Sequence, residues 1–566
     1  MRMSTDSDRD EALPRETIAA ALGAGVTVFD TAHAYGHGES ELGHNERLVA
    51  GVLRDRGAAT TARIVTKGGM TRPGGGWVPD GRAKAIVRDC EASLAALGGL
   101  PIDLYLIHAP DPRTPWRTSV RALTRLFDQR LVRHVGLSNV NRLQLDEALE
   151  LAPISAVEVA LGPHDDRALR GGIVERCDEL GIAVIAHSPL GGPLRADTLA
   201  RRRPLDEVAE ALAATPAEAA LAWLLDLSPV VIPIPGARRP ETARSAVRAA
   251  GLTLDPAART GLHRAFGGPR GARTEQPRAA SNDADVVLVM GIPGAGKSLV
   301  ASEYVDRGYV RLNRDERGGA LRELAGALDD ELSSGALHVV LDNTYLTRAA
   351  RSYVTEAANR HGVPVRCVWL DTPLAKAQVN LVERMLDQFG MLPSPDELRE
   401  LARRHPGVLT PTSQMRTLRE LEPPSADEGF AIVETIAFVR PPTRHEERAG
   451  VFVAAGVLEQ PDWAHALEQG NRSAPHLLFH WSPRGSPEAL ESDLARLVAA
   501  IDGPAEAALC PHAGGPPTCW CRPPLPGLPL AFARAHALDP ARSTLIGTGP
   551  AHRNLAAALG ARYVSV

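Results

Sequence analysis

Eight residues, Gly291-Ile-Pro-Gly-Ala-Gly-Lys297-Ser298, constrain this chain more than any other stretch of it. They follow directly on Val286-Val-Leu-Val289, an apolar run of strand length, and lead into an amphipathic stretch. Strand, glycine loop, helix is the context in which backbone N–H groups wrap a β-phosphate at a helix N-terminus. Gly291, Gly294 and Gly296 supply the loop's freedom, Lys297 is placed to reach the β and γ oxygens, and Ser298 to ligate Mg²⁺. An ATP-binding P-loop α/β domain is expected around this motif.

A chain of 566 residues is too long for one hydrophobic core, so further domains are expected on either side. Gly267-Gly-Pro-Arg-Gly-Ala-Arg-Thr-Glu-Gln-Pro has no apolar periodicity and reads as the start of a linker. A second joint, Arg440-Pro-Pro-Thr-Arg-His-Glu-Glu-Arg, precedes a C-terminal piece. The resulting division is 1–267, a linker over 268–284, 285–442, and 446–566. The net charge of −5 provides no global field for nucleic acid, so such binding would need a local basic patch. The polar start Met1-Arg-Met-Ser-Thr-Asp and the lack of any 18-residue apolar run predict a cytoplasmic protein without a membrane partner.

Two scarce residue types carry information. Of 63 basic residues only Lys67, Lys84, Lys297 and Lys376 are lysine, so a lysine here marks a place that arginine does not suit. Of six cysteines, Cys90, Cys177 and Cys367 are scattered and read as small core residues. Cys510, Cys519 and Cys521 instead crowd into one loop with His512; three thiolates and an imidazole at that spacing suit a closed tetrahedral structural Zn²⁺ site.

Over residues 1–267, β-branched runs alternate with longer amphipathic stretches, as in a (β/α)₈ barrel. Seven runs are present: Val26–Asp30, Arg63–Lys67, Ile102–His108, Val132–Leu137, Ser155–Val159, Ile182–Ala186 and Val230–Ile234. The barrel is thus expected to have an incomplete first strand, with Met1-Arg-Met as its tail. Chemistry in such barrels sits at the C-terminal strand ends, where Asp30 with Tyr35, Lys67, His108, Ser138-Asn139, Glu158, His187-Ser188 and Gly236 fall.

The segments Phe29-Asp-Thr-Ala-His-Ala-Tyr-Gly36, Thr66-Lys-Gly, Leu106-Ile-His108, Val135-Gly-Leu-Ser-Asn139 and Ile234-Pro-Gly-Ala-Arg-Arg239 resemble the aldo-keto reductases. The resemblance implies NAD(P)H-dependent reduction of an aldehyde or ketone. Tyr35 would be the general acid with a pKa lowered by Lys67, Asp30 would fix Lys67, and His108 would orient the substrate oxygen. Ser138, Asn139, Glu158 and Ser188 would hold the nicotinamide end, and the loop Gly236 to Arg239 the cofactor phosphates. Arg238 and Arg239 favour NADP over NAD. The sequence departs from the family at Glu158, usually a carboxamide, and at His187, usually an aromatic ring.

Further on, Asn313-Arg-Asp315, Leu341-Asp-Asn-Thr344 and Asn380 with Arg384 resemble the kinase domain of polynucleotide 5′-kinases and their small-molecule relatives. The resemblance implies Asp315 as general base toward an acceptor hydroxyl, Arg384 as a lid arginine on the transferring phosphoryl group, and Asp342 assisting Mg²⁺ through water. In 446–566, Ala449-Gly-Val-Phe-Val-Ala454, Leu477–Ser482, the cysteine loop and Thr544–His552 resemble haloacid dehalogenase-like phosphatases of the histidinol-phosphatase type. Ala454 and Ala455 stand where that family needs two aspartates, so a catalytically dead, zinc-stapled fold is expected. Three readings follow: a polynucleotide 5′-hydroxyl kinase fused to a reductase, a metabolic reductase and small-molecule kinase, or a nucleotide-sensing scaffold.

Overall fold

The seven β-branched runs of the first part become seven parallel strands. The computed structural model describes residues 2–6, 9, 12–192, 195–268, 284–405, 407–437, 448–482, 487–515 and 517–566, arranged as two compact units, 1–276 and 277–566. In the first unit β1 (Val28–Asp30) is followed by β2 (Arg63–Gly68) and a hairpin of β3 (Met70–Thr71) and β4 (Val78–Pro79). Then come β5 (Leu104–Ile107), β6 (His134–Ser138), β7 (Ile154–Ala160), β8 (Ala183–His187) and β9 (Val231–Ile234). The sheet order is β1-β2-β5-β6-β7-β8-β9, each strand parallel to the next, with helices between them.

Strand period two explains what this sheet presents inward. Val65, Leu106, Ala156 and Ile185 form a small apolar cluster of their own. Two residues further along the same strands stand Lys67, His108, Glu158 and His187. The apolar layer thus fills the interior, and the polar layer caps it at the C-terminal end. Gly136 belongs to this wall because a Cβ there would lie 2.4 Å from the Ala156 carbonyl and 2.6 Å from Leu106.

The expectation for Met1-Arg-Met needs correction. Residues Arg2–Thr5 form a short helix, not the tail of a strand. Ser4 is fully buried, and its hydroxyl accepts from Asn45 Nδ2 at 2.9 Å and lies 2.9 Å from His44 Nδ1. These contacts fix the segment against the helix His44–Asp55 and leave its backbone unavailable to a sheet. Among the described residues no strand closes the seam between β1 and β9, and both edges show it. Val28 is 48% and Ile232 46% exposed, although each lies on a strand whose neighbours are buried.

The second unit holds two parallel five-stranded sheets. The first comprises β10 (Asp285–Met290), β11 (Val310–Leu312), β12 (His338–Asp342), β13 (Val365–Leu370) and β14 (Ile432–Ile436), in the order β11-β12-β10-β13-β14. The second comprises β15 (Val451–Ala454), β16 (His476–Trp481), β17 (Ala505–Cys510), β18 (Thr544–Gly547) and β19 (Arg562–Ser565), in the order β17-β16-β15-β18-β19. Both put the first strand in sequence at the centre. The joint read between residues 440 and 448 and the linker over 268–284 lie almost wholly outside the described residues.

One helix serves both sheets. Along Leu374–Phe389, Ala377 packs in the core under the glycine loop, while Val379, Val382, Met385 and Leu386 join the core of the second sheet. Trp520, 1% exposed, adds its indole N–H bond to the Leu409 carbonyl at 2.9 Å. No single helix among the described residues is long and apolar enough to cross a membrane.

Candidate functional site

In the first unit the strand ends converge on one ammonium group. Lys67, fully buried, lies 2.6 Å from both carboxylate oxygens of Asp30, donates to the Thr31 carbonyl at 3.0 Å, and stands 3.1 Å from Glu158. The Tyr35 ring centroid is 5.3 Å from Lys67 Nζ, and Tyr35 meets His108 edge-on at 5.7 Å. The four residues expected to do the chemistry are therefore brought together. Burial alone would release the Lys67 proton, but the charge of Asp30 and its hydrogen bond oppose that and the pKa is raised.

The expectation of a lowered Tyr35 pKa is overturned. Burial pushes the phenol upward, the charge of Asp30 adds to that, and the attraction of Lys67 does not compensate. The phenol holds its proton, which suits a donor. His108 is driven down to about 3, by burial first and then by Lys67, so its imidazole is neutral at ordinary pH. His187, driven down to about 4 by burial and Lys67, is neutral as well.

Glu158 lies elsewhere than the resemblance implied. Its carboxyl belongs to the Lys67 cluster, while its backbone carbonyl accepts from the Asn139 N–H at 2.8 Å. Asn139, held at a positive φ of 58°, donates its side-chain amide to the His108 carbonyl and to Ser138 Oγ, each at 3.0 Å. His187 Nε2 lies 3.1 Å from Asn139 Oδ1, and its Nδ1 is 3.2 Å from Ser188 Oγ. Gly236, Arg238 and Arg239 lie exposed ahead of the helix Pro240–Ala249, with Arg238 3.4 Å from Asp6. Sequence reasoning missed Trp77 and Arg72: Trp77 meets Tyr35 at 6.1 Å and His108 at 5.9 Å, and Arg72 stacks on it. Neither residue sits on a periodic segment that would have flagged it.

In the second unit the glycine loop joins β10 to the helix Lys297–Val305 as expected. Gly294, at φ 85°, is required because a Cβ there would lie 2.3 Å from the Ala377 carbonyl. Three side chains hold the loop's carbonyls: Asn380 that of Gly294 at 2.7 Å, Thr372 that of Ala295 at 3.1 Å, and Gln414 that of Pro293 at 3.0 Å. With the carbonyls occupied, the amides remain for an anion. Lys297 bends back onto the Ile292 carbonyl at 3.1 Å. Desolvation lowers it to about 8, against the attraction of Asp342 and Asp315 and with the repulsion of Arg384. These four groups therefore share one electrostatic site.

Within that site Asp342 is buried and paired with Arg311 at 2.5 Å, and Asn313 donates to it at 3.2 Å. Asp315 is exposed, Ser298 is exposed, and Arg384 donates to the Gly407 carbonyl. Two arginines near the motif are structural instead. Arg351, fully buried, forms a bidentate pair with Glu428 at 2.7 Å, and Arg348 pairs with Asp427 at 2.9 Å.

In the second sheet Ala454 is the last residue of the central strand β15 and Ala455 opens the short 3-10 turn after it, and His552 Nδ1 accepts from the Thr548 N–H. Cys510, His512, Cys519 and Cys521 place their ligand atoms within 4.8 Å of one another.

The carboxyl of Glu158 gives this geometry a pH signature. Burial first, then Asp30, pushes it up to about 8, with Lys67 opposing. An unfolded glutamate titrates near 4.3. Between those values the folded chain holds a proton that the unfolded chain has lost, so the contribution is full in acid and disappears as pH rises toward about 8. Glu158→Gln is neutral at every pH and should flatten the fall in melting temperature over that window, as read by calorimetry on the full chain. A variant slope equal to wild type would mean that Glu158 is ionised when folded.

Residues 2–260 match the aldo/keto reductase family, and residues 286–403 match an AAA domain. An uncharacterized oxidoreductase of Schizosaccharomyces pombe is 31% identical over 263 residues, covering 45% of this chain and 80% of that protein. A probable aldo-keto reductase 1 of Glycine max is 31% identical over 249 residues, covering 39% of this chain and 69% of that protein. Among solved structures, a thermostable aldo-keto reductase in complex with epalrestat is 31% identical, covering 46% of this chain and 90% of that one, with a TM-score of 0.41. An aldo-keto reductase from Klebsiella pneumoniae in complex with NADPH is 25% identical, covering 46% of this chain and 87% of that one, with a TM-score of 0.39. With 69% of the Glycine max relative covered at 31% identity and residues 2–260 matching the family model, the chain belongs, through its first unit, to the aldo/keto reductase family.

Proposed function

We propose that residues 1–267 reduce an aldehyde or ketone with NADPH, and that residues 285–442 transfer a phosphoryl group from ATP to a hydroxyl acceptor. The carrying observation for the reductase is the fully buried Lys67 ammonium between Asp30 and Glu158, 5.3 Å from the Tyr35 ring. Tyr35 donates its proton to the oxygen that becomes an alkoxide, and Lys67 stabilises the phenolate left behind. Neutral His108 beside Tyr35 orients the carbonyl oxygen.

NADPH, when bound, would supply the hydride. The residues present fit it. Gly236 has open space where a Cβ would stand, and Arg238 and Arg239 flank the N-terminus of a ten-residue helix, which suits phosphate. Ser138, Asn139 and Ser188 would hold the nicotinamide end. The 2′-phosphate of NADP suits two arginines better than the bare ribose of NAD does.

For the second activity, Lys297 and the loop amides would hold the ATP phosphates, and Ser298 would ligate Mg²⁺. Asp315, exposed and within the field of Lys297 and Arg384, takes the acceptor proton. Its exposure favours an acceptor that approaches from solvent, such as a polynucleotide 5′-hydroxyl end. A small sugar or nucleoside is the second reading, favoured by the chain's near-neutral charge.

Residues 446–566 read as a phosphatase-type fold without its catalytic acids, stapled by zinc. Sγ atoms of Cys510 and Cys519 are 3.7 Å apart, those of Cys510 and Cys521 3.4 Å, and Cys521 Sγ is 3.2 Å from His512 Nδ1. A tetrahedral Zn–S bond near 2.3 Å demands S···S edges of about 3.8 Å, so the donor set already approaches that shape.

Three measurements test these assignments. Tyr35→Phe should lower NADPH-dependent reduction of a nitrobenzaldehyde by about a hundredfold or more, the scale of a lost general acid. Unchanged turnover in that variant would remove Tyr35 from its role. With γ-labelled ATP, Mg²⁺ and a panel of 5′-hydroxyl DNA, 5′-hydroxyl RNA, nucleosides and sugars, Lys297→Ala should lose ATP binding and transfer together. Asp315→Ala should keep binding and lose transfer; labelling confined to a sugar or nucleoside would discard the polynucleotide reading. Finally, about one zinc per chain should be found by elemental analysis, lost in Cys519→Ser together with part of the second unit's thermal stability. A metal-free wild type of unchanged stability would contradict the staple.

A further inference from the structure

We propose that Arg72 makes the barrel-mouth site selective for carbonyl substrates that carry an anionic oxygen group, a carboxylate or a phosphate. The proposal rests on the reductase reading of that site and names its substrate class.

Arg72 follows β3 in the hairpin that continues from β2, the strand that carries Lys67. Its side chain is folded inward, leaving the residue only 5% exposed. The guanidinium carbon sits 3.7 Å from the Trp77 ring centroid, and that ring touches both Tyr35 and His108 edge-on. A cation therefore stands one aromatic ring behind the two residues that receive the carbonyl oxygen.

What sets this arginine apart is the lack of a counter-charge. Of its donors only Nη2 has a partner among the described residues, the His37 carbonyl at a long 3.4 Å, while Nε and Nη1 are buried and unpaired. The other deeply buried arginines behave differently: Arg351 has Glu428 and Arg348 has Asp427. A buried guanidinium without a carboxylate is costly, and its retention beside a site is best explained by a ligand that completes it.

The charges around it agree. Asp30 balances Lys67, and His108 and His187 are neutral because burial and Lys67 hold their pKa values low. Glu158 lies within the Lys67 cluster, 3.1 Å from the ammonium, with burial and Asp30 pushing its carboxyl upward and Lys67 opposing. Arg72 adds a buried positive charge that no carboxylate among the described residues pairs, and an anionic substrate is drawn toward it. Access requires little rearrangement. The covering ring of Trp77 is itself 43% exposed, and it follows Gly74-Gly75-Gly76, of which the first two adopt positive φ of 56° and 79°. One side chain at the end of a glycine turn can move aside to bare the guanidinium.

The test uses the full chain with NADPH and matched aldehydes: 4-carboxybenzaldehyde, 4-formylphenyl phosphate, and the neutral methyl 4-formylbenzoate. Wild type should favour an anionic aldehyde in kcat/KM, and the better of the two anions identifies its source. Arg72→Met keeps the stem over Trp77 and removes the charge. It should lose roughly 10- to 100-fold on the anionic aldehydes, mainly through KM, the scale of a charged hydrogen bond. The neutral ester should change less than about twofold, and Arg72→Lys should recover part of the loss. Equal losses on all three aldehydes would make Arg72 a prop for Trp77 and overturn the proposal, as would a wild type that prefers the ester. Binding is measured alongside, by fluorescence titration of wild type and Arg72→Met with benzoate and benzamide. If no aldehyde is reduced but benzoate still binds in an Arg72-dependent way, the reductase reading falls and the anion site stands. If benzoate binds no better than benzamide, or equally well to Arg72→Met, the anion site itself is refuted.

Discussion

A lysine ammonium with no exposure to solvent governs the first unit. Taking such a charge out of water costs several kcal/mol even after relaxation, and only close, hydrogen-bonded counter-charges offset it. Asp30 supplies two contacts at 2.6 Å from β1, the Thr31 carbonyl one at 3.0 Å, and Glu158 a further approach at 3.1 Å from β7. These partners come from opposite parts of the sheet, so the ammonium ties its curvature to its chemistry. Removing Asp30 alone would leave the lysine underpaired, a defect of about 3–5 kcal/mol in buried pairs. The same cluster sets the state of Tyr35. Deep burial, with the charge of Asp30 added, keeps the phenol protonated although a cation lies close by, because desolvation here outweighs the attraction of one lysine.

Much of this was legible in the sequence. Seven apolar β-branched runs mark seven strands to within about two residues, since buried parallel strands have to be apolar on both faces. Asp30, Lys67 and His108 could be placed at strand ends because those ends are where apolar runs stop, while Glu158 lies two residues inside the end of β7. The helix at Arg2–Thr5 was not legible: four residues carry no period, and what fixes them is the burial of Ser4 against Asn45, a contact across 41 positions. Arg72 and Trp77 were hidden for a similar reason. Their hairpin pairs only two residues with two, too few to show alternation, and its position over Tyr35 is a tertiary fact. Glu158 was read as a nicotinamide contact, whereas its carboxyl faces Lys67 at 3.1 Å; a family pattern assigns a position, and the local charges decide what it touches.

The second unit shows a different limit of sequence reading. A polar, proline-rich joint near residue 440 marks where the chain passes from one sheet to the next, yet the packing does not divide there. The helix Leu374–Phe389 is apolar on more than one face, and its residues enter two separate cores. Such a helix reads in sequence like any strongly buried one. Only the fold reveals that its second apolar face covers the sheet built from β15 to β19, so that a break in the chain is not a break in the core.

The same packing reaches the phosphate loop. Gln414, fully buried, donates to the Pro293 carbonyl from the helix Pro411–Glu420. The residues just before and within that helix are themselves held from the cysteine loop: Trp520 donates to the Leu409 carbonyl, and Thr412 donates to the Pro517 carbonyl at 2.8 Å. A loop that binds an anion through backbone amides needs its carbonyls occupied elsewhere, and one of the three groups doing so stands on a segment anchored by the other sheet. None of the bonds in this mechanical connection passes through the end of β15, so it does not depend on Ala454 and Ala455. The second sheet can therefore support the glycine loop through the positions it fixes, whatever chemistry its own strand ends carry.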